Sequence, residues 1–344
     1  MTTWCPDSPS MAYSLAFTVK VSWSVQSAPG ELTTEAARQD TVSGRVRALI
    51  LNVLSARQSL TRYRIFLSLD ADAVHSGQVF GCWHDEGRLY NCRDSYGCWG
   101  HFSRESIKRF AAIEAESNTR FHVDCGFLSV VGPEYLGLQD WLGYTGDVIR
   151  ARGAALYNSV QLTRQFPFLS VPGDGLGCHE AAGAGGGYIS PRQFVSAQQE
   201  IAKAAGCRTV RSLVTDISRA GAGYSVTTNT GQVYHCQKLV LCQGTHLGLS
   251  SPARSLFPAP ELWFTAQTVA LLEVGEEEAR RLREMPSMVV QTHPTQYIYI
   301  LPPILYPDGK MYLKLGQHDL DKNLRTARDV TLHYRSDTVQ DTDY

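Results

Sequence analysis

Near one end of the 344-residue chain runs Lys314-Leu315-Gly316-Gln317-His318, five residues whose types and order could do chemistry. Side chains alternate faces along a strand, so the period of two puts Lys314, Gly316 and His318 on one face. The glycine between an ammonium and an imidazole leaves room for a flat ring to approach the backbone. Taken alone, the run also fits an exposed strand with a charged face.

Other familiar chemistries lack their motifs. The Gly-x-Gly pairs at 173/175, 175/177, 183/185, 185/187 and 221/223 are followed three positions on by Cys178, Glu180, Tyr188, Ser190 and Val226. None gives G-x-G-x-x-G, and none follows a strand, as the turn that holds a dinucleotide pyrophosphate must. The run 183–187 reads as a flexible loop. There is no phosphate-binding lysine loop and no Gly-x-Ser-x-Gly elbow, and His179-Glu180 has no second histidine four residues on. Metal, phosphoryl-transfer and serine-hydrolase chemistries lose their sequence support, and no metal ligand is expected.

The elements that must position a site are clearest after Phe102. Ser103 can cap a helix with Ile107, Phe110, Ala111 and Ile113 on one side and Arg104, Glu105, Lys108 and Arg109 on the other. A strand-like stretch, 121–131, follows, and 133–186 reads as loops and short pieces. Ser190-Pro191-Arg192-Gln193 combines an N-cap, a first-turn proline and a capping-box glutamine, so a helix is predicted over 191–205, with Gly206 as its stop. Then come a strand over 209–217, a hairpin over 224–234, and 238–242, a wholly apolar strand expected to be buried in a central parallel sheet. Residues 275–285 read as a short polar helix, and 287–292, 296–301 and 310–318 as antiparallel strands. Before residue 80 the only readings are a strand at 20–25 and a helix at 44–60.

The composition is that of a globular protein: 43% hydrophobic, 19% charged, with 32 basic against 33 acidic side chains. Without a basic surplus, neither nucleic acid nor an anionic membrane is an expected partner. Nine scattered cysteines with no C-x-x-C pair fit free thiols in a reducing compartment. The apolar stretch 11–25 contains Lys20 and follows no basic residue, so it fails as a signal peptide, and no run of eighteen apolar residues exists to span a bilayer.

Taken together, Gly187-Tyr188-Ile189-Ser190-Pro191-Arg192, the helix through Ala205-Gly206, Leu213-Val214-Thr215-Asp216-Ile217, the hairpin, and Lys238 to Gly244 resemble the central part of the glycine/sarcosine/D-amino-acid oxidase superfamily. The type most resembled is the monomeric sarcosine oxidase or pipecolate oxidase. The resemblance implies FAD as cofactor, a small-molecule amine substrate and molecular oxygen. It also implies an α/β (α+β) fold: an incomplete FAD/NAD(P)-binding-type parallel sheet with a β-meander, plus a mainly antiparallel β substrate layer. It carries cofactor contact onto Val214, Gly244 and Thr245, whose residue types otherwise suit sheet packing and a tight turn. Gly87-Arg88-Leu89-Tyr90-Asn91 resembles the family's Ser-Arg-Ile-x-Arg segment, which implies that Arg88 lies against the flavin, where a cation stabilises negative charge on the ring. Asn91 stands where the family has a second arginine. Lys314-Leu-Gly-x-His matches the run whose lysine helps electron transfer to oxygen and whose histidine lines the substrate pocket. Tyr299 matches a pocket tyrosine.

The resemblance covers 87–318 and divides the chain into a divergent N-terminal region (1–86), an oxidoreductase core (87–318) and a C-terminal tail (319–344). The family's opening pyrophosphate motif is not found in 1–86, and no family-like sequence follows His318. The expected activity is oxidation of a secondary amine or N-methyl amino acid with release of hydrogen peroxide. The alternative is a non-catalytic, truncated remnant that binds FAD weakly or not at all. A cytoplasmic location is expected; relatives are often peroxisomal, but Thr-Asp-Tyr is not a peroxisomal signal.

Overall fold

The computed structural model describes residues 83, 85–92, 99–171, 173–210, 212–242, 252–253, 255–256, 262–294, 297–318, 322–324, 326 and 329, and the backbone of 11–21. At 99, 144, 262–268, 297, 318 and 322–324 it likewise describes the backbone alone. The expected helix at 44–60, most of the strand at 20–25, Gly244 and Thr245 lie outside the described residues. The chain divides into two units, one of Met1–Thr18, Cys82–Ala197 and Phe264–Tyr344, the other of Val19–Gly81 and Gln198–Trp263.

In chain order the elements are β1 (Met11–Val21), β2 (Arg88–Asn91), α1 (Trp99–Ser117), β3 (His122–Val123), β4 (Phe127–Val131), α2 (Leu138–Arg152), β5 (Ala155–Asn158), α3 (Ser159–Gln165), β6 (Leu176–Glu180), β7 (Gly186–Ile189) and α4 (Pro191–Ala204). There follow β8 (Val214–Ala220), β9 (Gly223–Thr228), β10 (Val233–Cys236), β11 (Leu262–Val274), α5 (Glu276–Arg281), β12 (Ser287–Gln291), β13 (Tyr297–Leu305), β14 (Met311–His318) and β15 (Lys322–Leu324). The large sheet runs β1-β11-β14-β13-β12-β4-β6-β5, with β15 beside β11. A small sheet, β2-β7-β3, carries the segment around Arg88. Among the described residues no helix is long and apolar enough to cross a membrane.

The first unit's core is built around β4, buried on both faces and paired parallel to β12 and antiparallel to β6. Leu128 and Val130 pack on Leu162, Phe166, Met285 and Met288. On the other side Val131 and Cys178 meet Trp141 and Val148 of α2, and the Trp141 indole N–H donates to Ser129 Oγ at 2.7 Å. Each such buried apolar side chain contributes about 1.5–3 kcal/mol, so this strand anchors the sheet. The strands β12, β13 and β14 are antiparallel neighbours, as expected.

Several expectations need correction. The first helix begins at Trp99, so Ser103 sits inside it; His101 and Phe102 pack edge to face along the first turn, and an interior serine costs only a few tenths of a kcal/mol. Residues 133–186 are not loops but contain α2, β5, α3 and β6. Gly143 and Gly146 weaken the helical pattern of α2, while α3 opens on a complete Asn158–Gln161 capping box. Of the glycine run, only 183–185 form the turn; Gly186 and Gly187 begin β7, pressed against Phe127 and the Val123 carbonyl.

Helix α4 starts at Pro191 as expected, with Gln193 N donating to Ser190 Oγ at 3.2 Å, but the expected capping box is only half formed because Ser190 N donates to the Phe121 carbonyl at 2.8 Å; Gly206 at φ +84° ends the helix. In the second unit, β8, β9 and β10 form the expected meander over Val214, Ile217, Val226 and Ala253. The first of these strands begins at Val214 rather than at 209. Residues 238–242 form no strand, and Val240 is 76% exposed. Among the described residues no strand pairs with this segment; Leu239 and Leu241 are half-buried against Val214, Ile217 and Val226, while Val240 faces outward.

Candidate active site

Strand β14 alternates as its period requires, with Tyr312, Lys314 and Gly316 on the buried face. Lys314 is 1% exposed and is the largest fully buried side chain among the described residues. An ammonium removed from water loses several kcal/mol of solvation, so it needs an anion and further acceptors. Its Nζ donates to Asp85 Oδ2 and, at 2.8 Å, to the carbonyl of Gly87. The third N–H has no acceptor among the described residues.

The carboxylate of Asp85 gathers the surrounding groups. Its Oδ1 accepts from the backbone N–H of Glu86 at 2.8 Å, more weakly from that of Gly87 at 3.4 Å, and from the Tyr306 hydroxyl at 3.1 Å. The Arg88 guanidinium lies 3.8 Å from Oδ2, with its side chain 39% exposed. The segment reaches the sheet because residue 87 is glycine. A Cβ there would sit 2.6 Å from Ile304 Cδ1 and 2.8 Å from Leu301 Cδ1. Next along, Glu86 accepts from Ser190 Oγ at 2.6 Å and has Arg192 Nε 2.6 Å away, a close ion pair not aligned as a hydrogen bond. These contacts tie residues 85–88 to the start of α4.

Burial works to raise the Asp85 carboxyl, but the Lys314 ammonium, Arg88 and the Gly87 N–H outweigh it and hold it below the ordinary carboxylate range. Burial pushes Lys314 below the usual lysine range, and Asp85 pulls it back up. Burial and the nearby Asp85 charge push Tyr299 up to about 12 and also raise Tyr306. Both phenols therefore keep their protons at neutral pH, as Tyr306 must to donate.

Tyr299 on β13 stands directly opposite Gly316 on β14. A Cβ on Gly316 would lie 2.2 Å from the Tyr299 ring. The flat ring that Gly316 admits in this structure is thus that of Tyr299.

Of the residues singled out in the sequence, Arg88, Tyr299 and Lys314 share this cluster. His318 ends β14 in register with Tyr297, and its side chain is outside the described residues. Val214 belongs to the second unit, where it heads β8, pairs with Thr228 and is buried. Sequence reasoning missed Asp85, Glu86 and Tyr306. A lysine on the inward face of a strand demands an anion, but nothing in the spacing says that the anion comes from 229 positions away. Tyr306 could have been noticed from Tyr306-Pro307-Asp308-Gly309, a tight-turn sequence that fixes the tyrosine at the end of β13.

The family described as FAD dependent oxidoreductase matches residues 69–341. The chain belongs to this FAD-dependent oxidoreductase family. Among solved structures it resembles NikD, described as an unusual amino acid oxidase essential for nikkomycin biosynthesis, with 19% identity and a TM-score of 0.53 over 70% of this chain and 60% of that one. It also resembles iminodiacetate oxidase from Chelativorans sp. BNC1 (14%, TM-score 0.52, 81% of this chain and 73% of that one). A third likeness is to fructosamine oxidase (Amadoriase II) from Aspergillus fumigatus, with 16% identity and a TM-score of 0.50 over 68% of this chain and 53% of that one. At these identities the likeness is one of fold. The chain spans about 60% of the length of NikD. No curated protein matches it in sequence.

The residues present suit the ring half of the family's cofactor. Lys314 and Arg88 bring two positive charges to the carboxylate of Asp85, a cationic setting of the kind that stabilises negative charge on an electron-rich ring.

Proposed function

We propose that the protein is an FAD-dependent oxidase of a secondary amine or N-methyl amino acid, of the sarcosine-oxidase kind, that releases hydrogen peroxide. The observation that carries the reading is the burial of Lys314 on the glycine-bearing strand against the Asp85 carboxylate, with Arg88 beside that same carboxylate. When bound, FAD supplies the two-electron acceptor for the amine C–H bond and hands those electrons to oxygen.

The roles proposed for the chain's own residues follow from charge and position. Lys314 presents a fixed positive charge in a water-poor site, where it stabilises negative charge developing on a neighbour far better than it would in water. Arg88 adds a second cation at the more open side. Tyr299, its phenol neutral, offers a hydroxyl and a ring face for orienting an amine. His318, two residues beyond Gly316, is proposed to line the substrate pocket.

The test is to load the full chain with FAD, add sarcosine without oxygen, and follow the flavin absorbance. Bleaching, followed by one peroxide per substrate when air is admitted, supports the reading. A loaded protein that sarcosine and other N-methyl amino acids leave unbleached refutes it.

A further inference from the structure

We infer that Asp85 is a positioning residue for Lys314, holding its ammonium charged and aimed from the adjoining segment. The inference rests on the role proposed for Lys314 and adds a residue to it.

The geometry divides the work between two oxygens. Oδ2 takes the Lys314 ammonium and lies 3.8 Å from Arg88. Oδ1 is held by the Glu86 N–H and the Tyr306 hydroxyl, which fix the plane of the carboxylate. The Gly87 carbonyl accepts a second ammonium N–H at 2.8 Å, so two bonds set the direction of Nζ, and both come from the three residues before Arg88. Among the described residues, the charged or titratable groups facing the pair are Arg88 from β2, Glu86 beside it, and Tyr299 and Tyr306 from β13. Arg88 repels the ammonium, and both tyrosines are neutral, which leaves Asp85 as the bonded anion that keeps the proton on Lys314. Without that carboxylate, desolvation and Arg88 both favour the neutral amine.

The chain has seven lysines, few enough for the 13Cε resonances of lysine-labelled full-length protein to be assigned with the help of Lys314→Arg. The Cε shift reports protonation of the amine directly. In wild type the Lys314 signal should keep its ammonium position through neutral pH. In Asp85→Asn its midpoint should fall by at least a tenfold change in proton affinity, and Asp85→Glu should restore most of it. Equal midpoints in wild type and Asp85→Asn would overturn the proposal. Should Asp85→Asn not fold, wild type still decides. The Lys314 signal must show an acidic inflection as the Asp85 carboxyl takes up its proton, and its absence would also overturn the proposal. Neither readout needs bound flavin. A chain showing this coupling but taking up no FAD would sink the oxidase reading and leave the pair standing, whereas FAD uptake without coupling would sink this proposal alone.

Discussion

The ring of Tyr299 lies over the backbone of Gly316, its cross-strand partner, so that the two residues together leave space for one aromatic plane. Gly316→Ala would drive a methyl group into that ring. We expect a loss of about 1–3 kcal/mol in urea unfolding. The Tyr299→Ala background should relieve most of the clash. A double-mutant cycle checks this, and strict additivity of the two losses would show that ring and glycine do not compete for space.

The same relationship shows what the sequence could convey. Period-two alternation predicted the face shared by Lys314 and Gly316, and the strands around it, because local patterning sets strand faces. Which ring would fill the glycine gap was not legible, because Tyr299 reaches it only through β13–β14 pairing. Asp85 was hidden for the same reason, being brought to Lys314 by a chain reversal that spacing does not encode. The error at 238–242 has a different origin. An apolar run signals a need for burial but does not supply the neighbouring strand.

Lys314→Met should slow reoxidation of the loaded flavin by oxygen, on the order of 10²-fold if its charge acts as an electrostatic stabiliser. Reduction by substrate should change much less. Stopped-flow measurement of the two half-reactions separates them, and equal slowing of both would refute the role given to Lys314.

A second buried ion pair holds the frame. Arg152 at the end of α2 donates to Glu180 Oε2 at 3.1 Å and to the carbonyl of Cys92 at 3.0 Å, and the Glu180 side chain is fully buried. Glu180→Ala would leave the guanidinium without its anion, at a cost of about 3–5 kcal/mol. Replacing both residues with apolar ones of similar volume should cost less than Glu180→Ala alone, measured by equilibrium unfolding. A loss under about 1 kcal/mol for the single change would place the pair with weak surface bridges.

Acid should destabilise the protein in stages. Burial lowers the pKa of both His122 and His179 from the usual 6.5. The unfolded chain therefore binds more protons in this range, and stability present above pH 6.5 is lost as pH falls through the folded-state values. A further loss follows below the ordinary carboxylate range, as Asp85 is protonated. His179 packs its ring against Tyr157 and Phe166, so His179→Phe keeps the packing and removes one of the titrating groups. Melting temperature should fall less steeply from neutral pH to about pH 5 in that variant than in wild type. Parallel curves would show that His179 is not held neutral by burial.

The most direct test of the account is a titration of the purified full-length chain with FAD, followed by flavin absorbance and by retention of colour on gel filtration. The account predicts saturable uptake of one FAD per chain, with a flavin spectrum that differs from that of free FAD. A folded chain that stays colourless with FAD in excess would contradict it.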